Sequence, residues 1–336
     1  MGVSIVIGGQ WGSEGKGKTT YFFSKKFGIS TAIRVGGPNS GHIIVNDKGE
    51  KLAFRILPVA SVMEDVNCVL PAGSYIDVDI LNNEIKMSGL NKKRLKIHPN
   101  AVVINNNNCK AEQDEKLNLK IGSTESGTGN AVITRIQRNN RKILAKECEA
   151  LQPYIFDTTD FIRDELRKSH EVIIEGTQGF GLSLLHSKDY PFVTSRDTSA
   201  AGFASESGIS PFDVKNIIMT LRAFPIRVYG NSGPLPREIT WNRVTEIANA
   251  REMIVENTTV TKRTRRVAEF DFDVVRKAVA MNCPNIIVLN HCDYFDYSIH
   301  NKKYLSKVVN EKISDIEREL GKIDYVGTGE EVIIKK

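Results

Sequence analysis

The chain opens with the feature that most restricts its fold. Val3-Ser4-Ile5-Val6-Ile7 is β-branched and almost wholly apolar. Such a run reads as a strand buried on both faces of a parallel sheet. A glycine-rich loop, Gly8 to Gly17, comes next. Lys18 to Phe27 then reads as a helix, and Thr31 to Val35 as a second buried strand. Strand, loop, helix, strand is the opening of an α/β fold with a mostly parallel sheet. Further strands are expected at Val102–Ile104, Val172–Ile174 and Ile286–Leu289. Helices are expected over Ile155–Lys168, Val244–Glu256, Asp273–Met281 and Leu305–Leu320. Asn105 to Asn108 reads as a turn or loop. No repeat or low-complexity linker divides the sequence. Residues 1–336 are therefore expected to form one large α/β domain with functional loops inserted.

Gly12-Ser13-Glu14-Gly15-Lys16-Gly17-Lys18-Thr19 fits the phosphate-loop pattern G-x-x-x-x-G-K-T, in its required place between strand and helix. Glycines let successive backbone N–H groups converge on one anion, and the helix N-terminus adds a positive dipole. Lys16 and Lys18 add two cations. The bland alternative is an ordinary flexible turn, and the strand-to-helix context argues against it.

Composition excludes more than it assigns. A chain of 336 residues, 40% hydrophobic, can bury a large core. A net charge of +6 suits anionic small molecules, permits nucleic acid and decides little. The five cysteines are odd in number and include no C-x-x-C pair, so neither a disulfide framework nor a cysteine zinc site is expected, and a reducing compartment fits. The first residues lack the basic and apolar regions of a signal peptide. No run is long enough to span a membrane, and Val6 stands where a myristoylation signal prefers Ser or Thr. A cytoplasmic protein is expected, or one in the host cytoplasm if phage-encoded.

Read at full length, Gly8-Gly9-Gln10-Trp11-Gly12-Ser13-Glu14-Gly15-Lys16-Gly17-Lys18 closely resembles the adenylosuccinate synthetase signature G-x-Q-W-G-D-E-G-K-G-K. The likeness continues in order. Gly36-Gly37-Pro38-Asn39-Ser40-Gly41-His42 resembles G-G-x-N-A-G-H. Gly122-Ser123-Thr124 through Gly127 and Gly129 resembles the G-T-T-x-x-G-x-G loop. Glu175-Gly176-Thr177-Gln178-Gly179 resembles E-G-A-Q-G, and Tyr190 to Ser195 resembles Y-P-x-V-T-S. Gly233-Pro234-Leu235-Pro236 resembles G-P-F-P, and Thr261 to Arg266 resembles the Arg-rich aspartate loop.

The resemblance implies a ligase that joins L-aspartate to the 6-position of a purine nucleotide. It uses a nucleoside triphosphate and Mg²⁺, and passes through a 6-phosphoryl intermediate. Phosphoryl transfer mainly requires positioning and charge neutralisation. By resemblance, Lys16 neutralises the transferring phosphoryl group. His42 hydrogen-bonds the 6-oxygen and acts as general acid. The Gly41 carbonyl and Ser13 hold Mg²⁺. Gly12, Glu14, Gly15, Gly17, Lys18, Gly41, His42 and Ile43 surround the triphosphate. Asn290, His291 and Asp293 resemble the base-reading N-K-x-D turn, with His in place of Lys, and Gly327-Thr328-Gly329 resembles the final nucleotide-contacting turn. Ser13, Asn39, Ser40, Thr124, Gln178, Thr194 and Arg263 hold the acceptor monophosphate. Arg138 reaches it across a homodimer interface, although a solvated helix charge is the bland reading. Thr259, Val260, Thr261, Arg263 and Arg265 hold aspartate, the two Arg by bidentate contacts. His98, His170, His186 and His300 lack a motif and read as structural.

One departure bears on the substrate. The family's Asp at the position of Ser13 takes the proton from N1 of IMP. A serine hydroxyl is a poor base at neutral pH. An inactive relative, a slow IMP enzyme and an enzyme for another purine all remain open. The third is favoured, because a shorter Ser leaves room for the 2-amino group of a guanine. The exchange resembles the phage-type 2-aminoadenylosuccinate synthetases, which act on dGMP with ATP or dATP. The expected partners are dGMP (or IMP), L-aspartate and ATP (or GTP or dATP), with no nucleic acid and no membrane. A regulatory nucleotide-binding protein is the alternative of another class. The aspartate loop and His42 argue against it.

Overall fold

The computed structural model describes residues 2–138, 143–258 and 263–336. Its centre is a nine-stranded sheet. In chain order the strands are β1 Val3–Gly8, β2 Thr31–Arg34, β3 Asn67–Leu70, β4 Leu95–Ile97, β5 Val172–Glu175, β6 Val214–Arg222, β7 Ile286–Asn290, β8 Tyr325–Gly327 and β9 Ile333–Lys335. Across the sheet they run β9-β8-β7-β6-β1-β5-β2-β3-β4. Every pairing is parallel except β8 with β9. β1 lies between β5 and β6, with Ile5 opposite Ile174 on one side and Ile217 on the other.

Alternation along β1 explains why the run is apolar almost throughout. Val3, Ile5 and Ile7 join one core with Ile33, Ile174, Met219 and Leu289. Val6 points the other way, to Phe23, Ala32, Ile173, Ile218 and Val288. Both faces are buried, as parallel sheets require. Because the strands are parallel, their carboxyl ends share one edge. Gly8, Arg34, Glu175, Arg222, Asn290 and Gly327 all end strands there. The chain leaves β1 towards β2 on one side and later returns to β6 on the other. That reversal makes a crevice at this edge, where open α/β sheets bind ligands.

Most expected elements are present, with shifted ends. The first helix starts at Lys16 rather than Lys18 and ends at Phe27, where Gly28 adopts a left-handed φ of 60°. The helices near residues 160, 277 and 313 span Thr158–Arg167, Phe272–Asn282 and Lys307–Leu320. Three expectations are corrected. Asn105 to Asn108 is not a loop. Asn105 caps the helix Asn106–Asp114, its side chain accepting from Asn107 N and Asn108 N, while Asn108 Oδ1 accepts from Asn105 N. The helix expected over Val244–Glu256 spans only Trp241–Ala248, because Asn249 turns left-handed and Thr245 Oγ1 accepts from Ile254 N at 3.0 Å. Residues 250–258 then run towards the crevice. The strand expected at Val102–Ile104 is Val102–Val103, and it belongs to a small separate sheet with Tyr75–Ile76 and Ile143–Leu144.

A hairpin, His42–Val45 with Lys51–Phe54, stands against the first helix. Its return is fixed by Glu84, whose buried carboxylate accepts from Arg55 N, Ile56 N and Leu57 N. Replacing Glu84 by Ala strands these backbone donors. We expect a loss of about 3 kcal/mol, read as a lowered denaturant midpoint with unchanged slope; an unaltered midpoint contradicts it.

Candidate active site at the carboxyl edge of the sheet

A cleft of about 670 Å³ opens at this edge. Its wall includes Gly12, Ser13, Lys16, Asn39, Ser40, Gly41, His42, Thr124, Gln178, Thr194, Arg263 and Arg265. Residues far apart in sequence thus meet as the motifs imply.

The phosphate loop is shaped from inside. Glu14 is fully buried, and its Oε1 accepts from Gln10 N at 3.1 Å and Gly12 N at 2.8 Å. Its Oε2 accepts from Lys16 Nζ at 2.6 Å. The Glu14 side chain is therefore a scaffold rather than a ligand contact, and it ties Lys16 into the loop. Gly15 has φ 88°, and a Cβ there would meet Asn290 Nδ2 at 2.8 Å. A Cβ on Gly17 would lie 2.9 Å from the His42 Cβ. Glycine at 17 lets the helix N-terminus approach the hairpin that carries His42.

His42 sits on two buried ionisable side chains. Arg34 Nη1 donates to Glu175 Oε1 at 2.8 Å, and both side chains are almost wholly buried. His42 Nδ1 is hydrogen-bonded to Glu175 Oε1 and lies 2.5 Å from Arg34 Nη1. Glu175 Oε2 accepts from Val59 N at 2.8 Å. Burial, with Arg34 and Lys16 nearby, keeps the His42 pKa well below its ordinary value. Burial pushes Glu175 up to about 7, against the pull of Arg34. One proton lies between Glu175 and Nδ1. Held on the carboxyl group, it leaves a neutral His42 with its own proton on Nε2. That is a donor for an oxygen in the cleft.

Ser13 has φ 57° and is exposed in the cleft. Arg265 donates to its Oγ, and Arg222 Nη1 donates to its carbonyl oxygen at 3.0 Å. Arg222 also grips Glu256 with both terminal nitrogens, and Tyr294 Oη donates to Glu256 Oε1 at 3.0 Å. The strand-like pair Thr258 N to Arg263 O at 2.9 Å and Arg265 N to Glu256 O at 2.8 Å shapes the approach to the aspartate loop. Arg263 lies over the Tyr229 ring. Thr259, Val260, Thr261 and Lys262 lie outside the described residues.

Neutral side chains cluster on the opposite wall. Asn39 Nδ2 lies 3.5 Å from Thr194 Oγ1, Ser40 Oγ is 2.5 Å from Thr177 Oγ1, and Thr124 Oγ1 is 3.0 Å from Ser126 Oγ. Gln178 has φ 60°. Glu112 organises the Thr124 loop, accepting from Gly127 N and Asn130 N. Arg138 is not brought in. It is exposed at the end of the helix Thr128–Gln137 and does not line the cleft, although Ile136 of that helix does.

Behind the phosphate loop the remaining expected residues meet around Lys18. Its Nζ donates to Gly329 O at 2.7 Å. Asn290 Nδ2 donates to Glu14 O at 2.8 Å. Buried Thr328 donates to Lys302 O at 2.5 Å. Burial lowers Lys18 to about 8, with Asp293 working against the shift. Ile43 is partly exposed beside this group.

Among the described residues no cluster of three or more His, Cys, Asp or Glu side chains could hold a metal. The oxygen donors at hand are the Ser13 hydroxyl and the Gly41 carbonyl. Such a set fits Mg²⁺ carried chiefly by substrate phosphates.

Arg34, Arg222 and Glu256 had no role expected from the sequence, and Glu175 was named only as part of its motif. Three of them left a signal, since a charge closing an apolar strand is unusual. Glu256 left none, because its partner is distant in sequence.

The adenylosuccinate synthetase family model matches residues 5–145 and 141–301. An adenylosuccinate synthetase of Methanococcus aeolicus is 36% identical, over 99% of this chain and 98% of its own length. That of Pyrococcus horikoshii is 33% identical, over 98% and 96%. Among solved structures, the cyanophage S-2L succinoaminodeoxyadenylate synthetase bound to dGMP and dATP superposes with a TM-score of 0.84. It is 27% identical and is covered over 95% of its length, with 99% of this chain matched. The fully ligated Plasmodium falciparum adenylosuccinate synthetase shares the fold, at a TM-score of 0.86 and 21% identity, with full coverage of both chains.

Burial works against the charge on Glu256, but Arg222 and Arg265 hold its carboxyl well below the ordinary 4.5. The pair's contribution is therefore complete above 4.5 and is lost as pH falls towards the lower folded value. Glu256→Gln is expected to cost about 3 kcal/mol at pH 7. The gap from the unchanged protein should narrow steadily as pH is lowered below 4.5. A gap that stays constant in urea melts contradicts this.

Proposed function

Since this chain belongs to the adenylosuccinate synthetase family of carbon–nitrogen ligases, we propose that it joins L-aspartate to C6 of dGMP at the expense of ATP. The products are N6-succino-2-amino-2′-deoxyadenylate, ADP and phosphate. The observation that carries this choice of purine is Ser13. It stands in the cleft where the family's base is a carboxylate, and its hydroxyl already accepts from Arg265. A guanine presents N1–H and a 2-amino group on this edge. A short hydroxyl accommodates both, and a carboxylate would crowd the second. The structural likeness to a phage enzyme bound to dGMP and dATP supports the same choice. The names of the sequence relatives favour a second reading, IMP with GTP.

The residues divide the work. His42 donates from Nε2 to the 6-oxygen, held by Glu175 and Arg34. Lys16, fixed by Glu14, offsets charge as N1 gives its proton to water, the 6-oxygen bonds to the γ-phosphorus and ADP leaves. The aspartate amine then bonds to C6, and the 6-oxygen departs within phosphate. Arg263 and Arg265 orient the two aspartate carboxylates. Asn39, Thr124, Gln178 and Thr194 hold the acceptor's phosphate, with Arg138 supplied from the partner in a homodimer. Mg²⁺ bound by the triphosphate, Gly41 and Ser13 supplies charge neutralisation.

Phosphate release and product mass, measured with dGMP, GMP, IMP and dIMP as acceptors, test this reading. We expect aspartate-dependent turnover with dGMP and little with IMP. Turnover with IMP alone overturns the choice of purine. Ser13→Asp should move the preference towards IMP; an unchanged preference removes Ser13 from the account. His42→Asn should lower kcat about 100-fold or more, and a smaller effect argues against its role as donor.

A further inference from the structure

Asp293 is an unusual buried carboxylate, 1% exposed. Its two oxygens are treated differently. His300 Nδ1 lies 2.7 Å from Oδ2, while Oδ1 is buried with no partner among the described residues. His300 is itself fixed. Its ring stacks on Tyr297 with centroids 4.7 Å apart and planes inclined by 15°. Its Nε2 lies 3.4 Å from Asn301 Nδ2, and its backbone N donates to Tyr297 O at 3.0 Å. The imidazole therefore presents Nδ1–H to the carboxylate from a clamped position. A buried carboxylate oxygen left bare needs a donor. Asp293 follows closely on Asn290, whose Nδ2 donates to Glu14 O in the phosphate loop at 2.8 Å.

We infer that His300 selects the base of the nucleoside triphosphate, admitting an adenine-type base and turning guanine away by covering one oxygen of Asp293. The inference rests on the reading that the Asn290–Asp293 turn receives that base. A guanine edge carries two adjacent donors, N1–H and the 2-amino group, and needs both carboxylate oxygens. The imidazole N–H competes for Oδ2, so one guanine donor is desolvated without a full partner, a loss of about tenfold or more in affinity. An adenine edge carries one donor, the 6-amino group, beside the bare lone pair of N1. The bare Oδ1 satisfies the amino group. The imidazole N–H offsets part of the Oδ2 charge that repels N1. His300 thus acts in substrate choice, beyond the structural reading its sequence context allows.

Calorimetric titration of the full chain with Mg·ATP and Mg·GTP tests this, without requiring turnover. The unchanged protein should bind ATP about tenfold or more tightly than GTP. His300→Ala exposes Oδ2 and should bring the ratio to near unity or invert it. His300→Gln keeps an N–H donor and should retain the ATP preference. Thermal melts without ligand check that both variants are folded, which the partly exposed position of His300 favours. The inference is overturned if the unchanged protein binds GTP as well as ATP, if it binds neither, or if His300→Ala keeps the original ratio. A shifted ratio without aspartate-dependent phosphate release leaves base selection standing and removes the ligase reading instead.

Discussion

Arg34 and Glu175 end two adjacent parallel strands, and both are buried where no water can solvate them. The Arg34 guanidinium needs an acceptor there, because an unpaired ion in a low-dielectric interior costs several kcal/mol, and Glu175 Oε1 supplies one while its own proton faces His42 Nδ1. Their pairing sets the carboxyl edge of the sheet. It also fixes His42 on the neighbouring hairpin, since the same Glu175 oxygen meets His42 Nδ1. The other Glu175 oxygen takes Val59 N, which holds the segment after that hairpin. One carboxylate therefore ties together two strands, a hairpin and the histidine proposed as proton donor.

The same device recurs along the edge. Glu14 with Lys16 shapes the phosphate loop, and Arg222 with Glu256 fixes the segment that leads to the proposed aspartate-binding residues. Arg227 with Asp189, which also takes Trp11 Nε1, braces the wall beneath Ser13. Such pairs add little net stability compared with well-packed apolar residues. What they provide is fixed geometry at a site proposed to stabilise a travelling phosphoryl group, where preorganised charge is worth most.

The strand–loop–helix opening was legible because its pattern is local. Apolar alternation, glycines and two lysines lie within a short stretch of chain. The motif residues were legible by resemblance, and the fold brings Ser13, His42, Gln178, Thr194 and Arg265 to one cleft. Other features were not readable. β6 is central, yet its polar start at Lys215 and Asn216 conceals the buried Ile218–Leu221 run. Val244, Ile247 and Ile254 share a helical spacing, but Thr245 folds the chain back instead. Four asparagines suggested a loop, and two of them cap a helix. In the last two cases a side-chain hydrogen bond, invisible to periodicity, overrode the local pattern.

The account depends on activation of the purine 6-oxygen by phosphoryl transfer in the cleft around Lys16 and His42. Acceptor nucleotide carrying heavy oxygen at the 6-position tests this directly. After turnover with ATP and aspartate, the released phosphate should carry the heavy oxygen, because that atom leaves C6 bonded to phosphorus. Phosphate that carries none of it would contradict the mechanism.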